Sequence, residues 1–262
     1  MDTLTGSGID PADQPRVIEG DGTSDAAWRA WDGLAQLPPL DLAALVPPGA
    51  RAVLVAPHPD DEVLGCGGLL QALAALGRRT LLVAVTDGTA SHPGSSLWPT
   101  RRLAAARPLE TAHALDVLGL AGVQLIRAGL PDGDVAAHAA RLQTMLEQLL
   151  RPGDVVFCTW RLDGHPDHEA SGHAAALAAH RRRAALVEVP IWCWHWAAPA
   201  DRRVPWSRAR RLPLAPAQRQ RKRDAIACYH SQLTADDTTG RGPILPGGVL
   251  ARLCHPYEIY FL

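Results

Sequence analysis

Four ionisable side chains lie within five residues of the stretch VLVAPHPDDEVLGCGG, residues 53–68, directly after an apolar run. They are His58, Asp60, Asp61 and Glu62. A second cluster, HPDH, occurs about 100 residues later and adds further candidate ligands: His165, Asp167 and His168. Imidazole nitrogens and carboxylate oxygens suit Zn²⁺ and similar divalent metals, and a catalytic zinc site has three protein ligands and one open position. The two clusters together contain enough donors for such a site.

The same residue types also suit acid–base chemistry. Water bound to a metal has a pKa of about 7 and needs a nearby base to take its proton as it attacks. A protonated histidine can stabilise the oxyanion of a tetrahedral intermediate. These residues therefore indicate metal-assisted hydrolysis of an amide or an ester. Spacing alone does not say which aspartate of the first cluster and which histidine of the second is a ligand, so four residues stay open: Asp60, Asp61, His165 and His168.

Strand and helix patterns alternate about every 15 residues from residue 51 onwards. Short Val-rich runs predict strands at RAVLVAP, TLLVAVTDG, VQLIRAGLPDG and DVVFCTW, and helical periodicity follows each of them. The first of these helices is predicted at EVLGCGGLLQALAALG, and the second is predicted with an interruption around Pro108. The alternation predicts the α/β class, with a doubly wound, mostly parallel sheet covered by helices on both faces.

Both clusters lie at predicted strand-to-helix junctions. For the first cluster alone, a polar loop in which Asp60 caps the next helix is an alternative interpretation. The second copy of H-P-D at an equivalent junction disfavours it, because the two copies need a common cause. In a doubly wound sheet, ligands bind at the carboxyl ends of the strands where the strand order reverses. With the order 3-2-1-4-5, the first and fourth strands are neighbours there, and the two clusters face each other.

The ends of the chain differ from this regular part. We predict an N-terminal arm and helix over residues 1–45 and a single domain over residues 46–262. Residues 1 to about 23 are polar and without period, and SDAAWRAWDGLAQL predicts a helix on the outside of the domain. Further along, AALVEVPIWCWHW predicts another strand and PYEIYFL a terminal strand, with a helix that starts near Pro216 between them. The loop TADDTTGRGPILPGG, residues 234–248, is long enough for a functional lid.

Composition narrows the choice of partners. The formal net charge of −1 offers no general attraction to nucleic acid or to an anionic membrane. The five cysteines are widely spread and contain no C-x-x-C pair, so neither a disulfide framework nor a cysteine zinc site is indicated. No signal-peptide pattern and no run approaching ~18 apolar residues is present. We predict a cytoplasmic protein with no nucleic-acid partner and no membrane anchor, and a homo-oligomer is compatible with the sequence.

The motif PHPDDE followed by HPDH resembles the PIG-L/LmbE superfamily of metal-dependent de-N-acetylases. Members of that superfamily deacetylate N-acetylglucosaminyl-phosphatidylinositol, the precursors of mycothiol and bacillithiol, and sugar-bearing antibiotics. The resemblance runs from about residue 51 to residue 183, and VTDG and LPDG fall where the family has similar segments. It implies a Rossmann-like sheet, in agreement with the alternation of strands and helices.

The resemblance also implies roles for residues of both motifs. His58 and Asp61 from the first motif and His168 from the second would be the metal ligands. Asp60 would be the general base that activates the metal-bound water. For Glu62 the resemblance implies no direct role, and stabilisation of a helix N-terminus by its negative charge is the preferred explanation.

Further roles follow from the same resemblance. His165 would polarise the scissile carbonyl or act as the acid toward the leaving amine, and Asp167 would hold a histidine in orientation. In RPLE and LPDG, the residues that match family positions near the sugar are Arg107, Glu110 and Asp132. An exposed helix pair and a turn aspartate are the alternative explanations for these short matches.

The leading prediction is a metal-dependent hydrolase that removes the N-acetyl group from an N-acetylglucosamine-type amino sugar or its conjugate. The alternative is a metal-dependent amidase or esterase acting on a non-sugar acyl conjugate. A binding module with a closed structural metal site is disfavoured, because the motifs hold more donors than four ligands require. Zn²⁺ is the first choice, and Fe²⁺, Mn²⁺ and Co²⁺ are also compatible. The tryptophans of IWCWHW either form one packed face of a strand or line a glycan subsite: Trp192, Trp194 and Trp196.

Overall fold

A seven-stranded sheet forms the centre of the protein. The computed structural model describes residues 15–262, so residues 1–14 of the predicted arm lie outside the described residues. The strand order is β3-β2-β1-β4-β5-β7-β6, with β1 (Arg51–Ala56), β2 (Arg79–Thr86), β3 (Gln124–Leu130), β4 (Val155–Thr159), β5 (Ala185–Val189), β6 (Ala209–Pro213) and β7 (Tyr257–Phe261). Strands β1 to β5 are parallel, and β7 and β6 pair antiparallel. The predicted α/β class and the order 3-2-1-4-5 are confirmed.

Helices cover both faces of this sheet. Within residues 15–262 the α-helices are α1 (Asp25–Ala30), α2 (Gly33–Gln36), α3 (Leu42–Leu45), α4 (Asp61–Leu64), α5 (Gly67–Ala75), α6 (Thr100–Val117), α7 (Ala139–Leu149), α8 (Pro166–Arg182), α9 (Cys193–Trp196), α10 (Pro216–Ile226), α11 (His230–Leu233) and α12 (Gly247–Leu253). Successive side chains of a strand point to opposite faces. Leu54 therefore enters one core with Leu69, while Val53 enters a second core with Leu146. None of these helices has the length and apolar character that a bilayer crossing requires.

Strands β1 and β4 are neighbours at the centre of the sheet. Ala52 pairs with Val155 and Val55 with Cys158, in parallel register. Because both strands run in the same direction, the loops that follow them leave from the same edge. The loop after β1 carries HPDDE, and the loop after β4 leads into HPDH at the start of α8. The strand order reverses between them, so the two motifs meet at the switch point of the sheet.

The described part of the N-terminal arm packs against α8. Arg16 Nε lies 3.0 Å from Glu169 Oε1. Helix α1 begins after Ser24, whose side chain accepts a hydrogen bond from a backbone N–H of the first turn. Trp28 of α1 is buried in the first core. The boundary at residue 45 stays a prediction.

Three helix and strand predictions need correction. The helix predicted at EVLGCGGLLQALAALG is divided at Gly65 and Cys66 into α4 and α5. Helix α6 runs through Pro108 without the expected interruption. Strand β6 (Ala209–Pro213) lies where no strand is predicted, and it completes the antiparallel edge with β7.

The segment after β5 also differs from the prediction, because AALVEVPIWCWHW is not a continuous strand. Strand β5 ends at Val189, and Cys193–Trp196 form the helical turn α9. The Asp163 carboxylate accepts hydrogen bonds from three successive N–H groups, those of Ile191, Trp192 and Cys193. These bonds turn the chain away from the sheet. The strand prediction fails here because the turn is held by Asp163, which lies 28–30 positions earlier in the chain.

The three tryptophans of this segment consequently do not share one face. Trp194 packs edge-on against Trp28, with ring centroids 5.1 Å apart. Trp196 stacks on Trp160, with centroids 6.1 Å apart. Trp192 lines the cavity beside the two motifs. Of the two interpretations, one packed face of a strand is wrong, and a glycan subsite at Trp192 stays a prediction.

Candidate active site

The side chains of His58, Asp61 and His168 converge where β1 and β4 end. His58 Nδ1 lies 3.3 Å from His168 Nε2 and 3.4 Å from Asp61 Oδ2. His168 Nε2 lies 3.2 Å from the same Asp61 oxygen. In a tetrahedral site with metal–ligand distances of about 2.0–2.1 Å, two ligand atoms are separated by about 3.3–3.4 Å. The three atoms therefore have the spacing that one divalent metal requires.

Two carboxylates hold the opposite side of the His58 ring. His58 Nε2 lies 3.1 Å from Asp167 Oδ2 and 3.2 Å from Asp132 Oδ1. Asp167 in turn accepts the N–H groups of Gly133 and Val135. Burial disfavours charge on the His58 imidazole, but the neighbouring carboxylates outweigh it and raise the pKa of His58 well above its ordinary value. Asp167 thus contacts a histidine ring nitrogen, and its role in orienting that histidine stays a prediction.

A further carboxylate, which the sequence analysis does not identify, holds His168. Asp163 is fully buried, and its Oδ2 lies 2.8 Å from His168 Nδ1. Burial disfavours the charged ring, but two carboxylates in contact with it raise the pKa of His168 to about 9. The position of Asp163, five residues before His168 in LDGHPDH, is the signal that could have identified it, since metal-binding histidines are usually supported by a carboxylate.

Asp60 lines the same cavity as His58 and Asp61, and its backbone conformation is strained. Its φ of 131° is rare for any residue other than glycine. Glu62 Oε2 accepts the Asp60 N–H at 3.0 Å, and Glu62 Oε1 accepts the Tyr229 hydroxyl proton at 2.6 Å. Glu62 therefore restrains Asp60, the residue before α4, and it lies in the first turn of α4, as the predicted stabilisation of a helix N-terminus requires. Burial, opposed by the Arg107 guanidinium, raises the pKa of Asp60 to about 8.

Arg107 on α6 fixes the Asp60 side chain. Arg107 Nη2 lies 3.1 Å from Asp60 Oδ2, and Nη1 donates to the Gly88 carbonyl at 2.9 Å. Gly88, in the VTDG segment, has a φ of +62°, and a Cβ there would collide with the guanidinium. Glu110 does not reach the cavity, because its carboxylate binds the backbone N–H and the hydroxyl of Ser231. Of the RPLE pair, only Arg107 faces the site.

His165 packs against both of the other histidines, which are themselves 5.2 Å apart between ring centroids. Its ring centroid is 4.8 Å from that of His58 and 4.9 Å from that of His168. His165 Nδ1 accepts the Asp167 N–H at 3.2 Å. Burial and the two neighbouring rings lower the pKa of His165 to about 3. The neutral ring then carries its proton on Nε2, as a donor.

A cavity of about 220 Å³ opens beside this cluster. The predicted substrate contacts Arg107 and Asp132 both line it. Gln232 also lines it, although no sequence pattern singles it out. Most of the remaining lining is apolar, and it includes Ile191, Trp192, Ile244, Leu245, Val249 and Leu253. Ile244 and Leu245 belong to the predicted lid loop. The site therefore offers a polar centre and an apolar lining.

The fold and the cluster together define the class of the protein, a doubly wound α/β protein with a group of histidines and carboxylates at the switch point of its sheet. Residues 53–179 match the family model described as PIG-L, GlcNAc-PI de-N-acetylase. This range contains both motifs and all of the predicted site residues. The predicted resemblance to the PIG-L/LmbE superfamily is confirmed over these residues, and the prediction of a hydrolase acting on a linear amide is confirmed with it.

Solved structures share the fold. The conserved protein TT1542 from Thermus thermophilus is 29% identical with a TM-score of 0.53, over 77% of this chain and 84% of that chain. N,N'-diacetylchitobiose deacetylase from Pyrococcus horikoshii is 20% identical with a TM-score of 0.50, over 80% of each chain. The A40926 pseudoaglycone deacetylase Dbv21 is 23% identical with a TM-score of 0.57, over 81% of this chain and 96% of that chain. No curated protein matches the sequence.

Proposed function

We propose that the protein is a metal-dependent hydrolase that removes the N-acetyl group from an N-acetylglucosamine-type amino sugar or its conjugate, giving acetate and the free amine. The convergence of His58, Asp61 and His168, with ligand atoms 3.2–3.4 Å apart, carries this proposal. Two proteins of the same fold are named as deacetylases, one of diacetylchitobiose and one of an antibiotic pseudoaglycone, which supports a sugar substrate.

His58, Asp61 and His168 would hold the metal. Zn²⁺ is our first choice, and Fe²⁺, Mn²⁺ and Co²⁺ also accept two nitrogens and one oxygen. When bound there, a divalent metal supplies Lewis-acid activation of water and of the acyl oxygen. Asp163 and Asp167 each bind the ring nitrogen that points away from the ligand cluster, so both imidazoles are held in the orientation that exposes the other nitrogen.

Asp60 is the proposed general base. Arg107 holds its Oδ2, whereas no group within residues 15–262 donates a hydrogen bond to its Oδ1. One carboxylate oxygen is thus available to take a proton from the attacking water. The same proton then passes to the nitrogen of the departing amine, which closes the proton balance of the hydrolysis.

His165 is the proposed donor to the scissile carbonyl. Because its Nδ1 accepts a backbone N–H, the proton of the neutral ring lies on Nε2. This N–H group can bind the oxygen that becomes negative in the tetrahedral intermediate. Arg107 and Asp132, which line the cavity, are the proposed sugar contacts.

Acetate release after metal removal and replacement tests the proposal. The protein is treated with a chelator, reloaded with each of the four metals, anaerobically for iron, and assayed on N-acetylglucosamine conjugates and aryl acetamides. We expect activity only after reloading, with preference for the amino sugars. His168→Ala should lose both metal and activity, whereas His173→Ala, at an exposed position of the same helix, should keep both. Full activity of the metal-free protein would overturn the proposal.

The apolar lining of the cavity favours one alternative, a metal-dependent amidase or esterase acting on a non-sugar acyl conjugate. Ile191, Ile244 and Leu245 offer contacts for an apolar group. Asp60 and His165 would keep the same roles, because acyl transfer to water needs the same base and the same oxyanion donor. Faster hydrolysis of aryl amides or esters than of amino-sugar conjugates would select this alternative.

A further inference from the structure

Gln232 is a buried glutamine in the cavity. It lies on the short helix α11, lines the cavity together with Asp60 and Arg107, and has 1% of its surface exposed. Buried polar side chains normally find hydrogen-bond partners for their polar atoms. Within residues 15–262, the Gln232 side-chain amide has such a partner at one end only.

The orientation of this amide follows from a chain of hydrogen bonds. Glu110 on α6 accepts both the backbone N–H and the hydroxyl proton of Ser231, each at 2.7 Å. A hydroxyl has one proton, and Ser231 gives it to the Glu110 carboxylate. The Ser231 oxygen can therefore only accept from Gln232, so the group 2.8 Å from it is the Gln232 NH₂.

The Gln232 carbonyl oxygen, Oε1, is consequently left as an acceptor. No group within residues 15–262 donates a hydrogen bond to it. Asp61 and Asp132, which line the same cavity, have lowered pKa values and are ionised, so they accept only and cannot supply the donor. Asp60 makes no hydrogen bond to Gln232 within residues 15–262. A bound ligand can supply it, and an amino sugar carries several donors in its hydroxyl groups and its amide N–H.

We propose that Gln232 Oε1 accepts a hydrogen bond from a hydroxyl group or the amide N–H of the amino-sugar substrate. Ser231 and Glu110 are positioning residues that act through Gln232. This inference rests on the proposed function. Helix α6 then positions two residues of the site. Arg107 binds the proposed base Asp60, and Glu110, one turn later, positions Gln232 through Ser231.

Gln232→Met tests the inference, because methionine has nearly the same shape and no comparable acceptor. We expect kcat/KM for an N-acetylglucosamine conjugate to fall about 10- to 100-fold, with metal content and thermal midpoint unchanged. Gln71→Met is the matched control. Gln71 is a buried glutamine on α5 whose NH₂ donates to the carbonyls of Gly67 and Gln218 and whose Oε1 also has no donor within residues 15–262. It does not line the cavity, so its replacement should leave kcat/KM within about twofold.

Substrate analogues identify the donor. Conjugates that lack one hydroxyl at a time, and one with an N-methylated acetamide, are assayed with the wild type and with Gln232→Met. One analogue should slow the wild type as much as the substitution does, and on that analogue the two enzymes should be equal. Ser231→Ala should show a smaller loss with the same analogue pattern, because the amide is then free to rotate.

The outcomes separate this inference from the proposed function. If the wild type releases acetate and Gln232→Met matches its kcat/KM, the inference is wrong and the proposed function stands. The same holds if Gln232→Met loses an equal factor on every analogue, since no substrate group is then coupled to Gln232. If the wild type releases no acetate from any amino-sugar conjugate, both are wrong.

Discussion

Two buried acid–base pairs can be compared in this molecule, Asp60 with Arg107 in the cavity and Glu258 with Lys222 in the core. The nitrogen-to-oxygen distances are 3.1 Å and 2.7 Å, and none of the four side chains is more than 8% exposed. Burial and distance therefore do not distinguish the pair in the site from the pair outside it. The two carboxylates differ instead in how many of their acceptor positions are used.

Each carboxylate oxygen of Glu258 accepts hydrogen bonds from two donors. Its Oε1 accepts from Lys222 Nζ and from the Gly68 N–H, and its Oε2 accepts from the Leu69 N–H and the Tyr260 hydroxyl, all at 2.7–2.8 Å. Two of these donors are in the first turn of α5, whose N-terminus favours a negative charge. The only lysine of the sequence thus completes a saturated structural centre.

Asp60 is the opposite case. Its side chain has Arg107 as its hydrogen-bond donor within residues 15–262, and the neighbouring Asp61 and Glu62 are also acidic. One oxygen remains unused beside a cavity. A buried carboxylate with every acceptor position filled stabilises structure, whereas one with unused capacity at a cavity is available for chemistry.

Asp60→Asn should give the largest effect on activity. Asparagine has the same size and tolerates positive φ, but it cannot take the proton. We expect kcat to fall about 10³-fold or more, with metal content unchanged, because His58, Asp61 and His168 are intact. The thermal midpoint should change little, since Arg107 keeps its carbonyl acceptors. Activity within about tenfold of the wild type would refute the assignment of Asp60 as base.

Glu258→Gln should lower the stability of the protein and leave its activity unchanged, the reverse of Asp60→Asn. It leaves Lys222 buried without a countercharge, so we expect the free energy of unfolding in urea to fall by about 3–5 kcal/mol. The kcat/KM of the folded enzyme should stay within about twofold. Tyr260→Phe, which removes one donor and keeps the ion pair, should cost about 1 kcal/mol. A loss of activity in Glu258→Gln with unchanged stability would invalidate the comparison.

Asp163→Asn should lower metal affinity more than it lowers kcat or the free energy of unfolding. The remaining amide oxygen can still accept, but the NH₂ group that replaces the other oxygen only donates, so His168 Nδ1 and the N–H groups of the turn cannot all keep their acceptors. We expect metal affinity to fall about 10- to 100-fold in a chelator competition assay. Asp224→Asn, at an exposed position of α10, is the control. Equal affinities for the two variants would show that Asp163 does not support the ligand.

The sheet and the meeting of the two motifs are predictable from the sequence because both depend on local patterns. Val-rich runs of strand length fix where strands end, and H-P-D follows two of them. The strand order then brings His58 and His168 together. Asp60 and Arg107 could be assigned only through the family resemblance, since no local pattern distinguishes a base from a helix cap.

The parts that could not be predicted depend on contacts between distant residues. Asp163 captures the N–H groups of Ile191, Trp192 and Cys193, and so converts an expected strand into a turn. Gln232 enters the cavity because Ser231 is bound by Glu110, 121 residues earlier in the chain. Neither contact has a periodic signal in the sequence.

Arg29→Ala should give the smallest effect and completes the comparison. Arg29 Nε lies 2.6 Å from Asp25 Oδ2, closer than in either buried pair, but the Arg29 side chain is 57% exposed. Water screens this pair, so we expect the free energy of unfolding to change by about 0.5 kcal/mol or less. The same urea titration measures it beside Glu258→Gln. If Arg29→Ala cost as much as Glu258→Gln, distance rather than desolvation would determine what an ion pair contributes here, and the contrast between Asp60 and Glu258 would lose its physical basis.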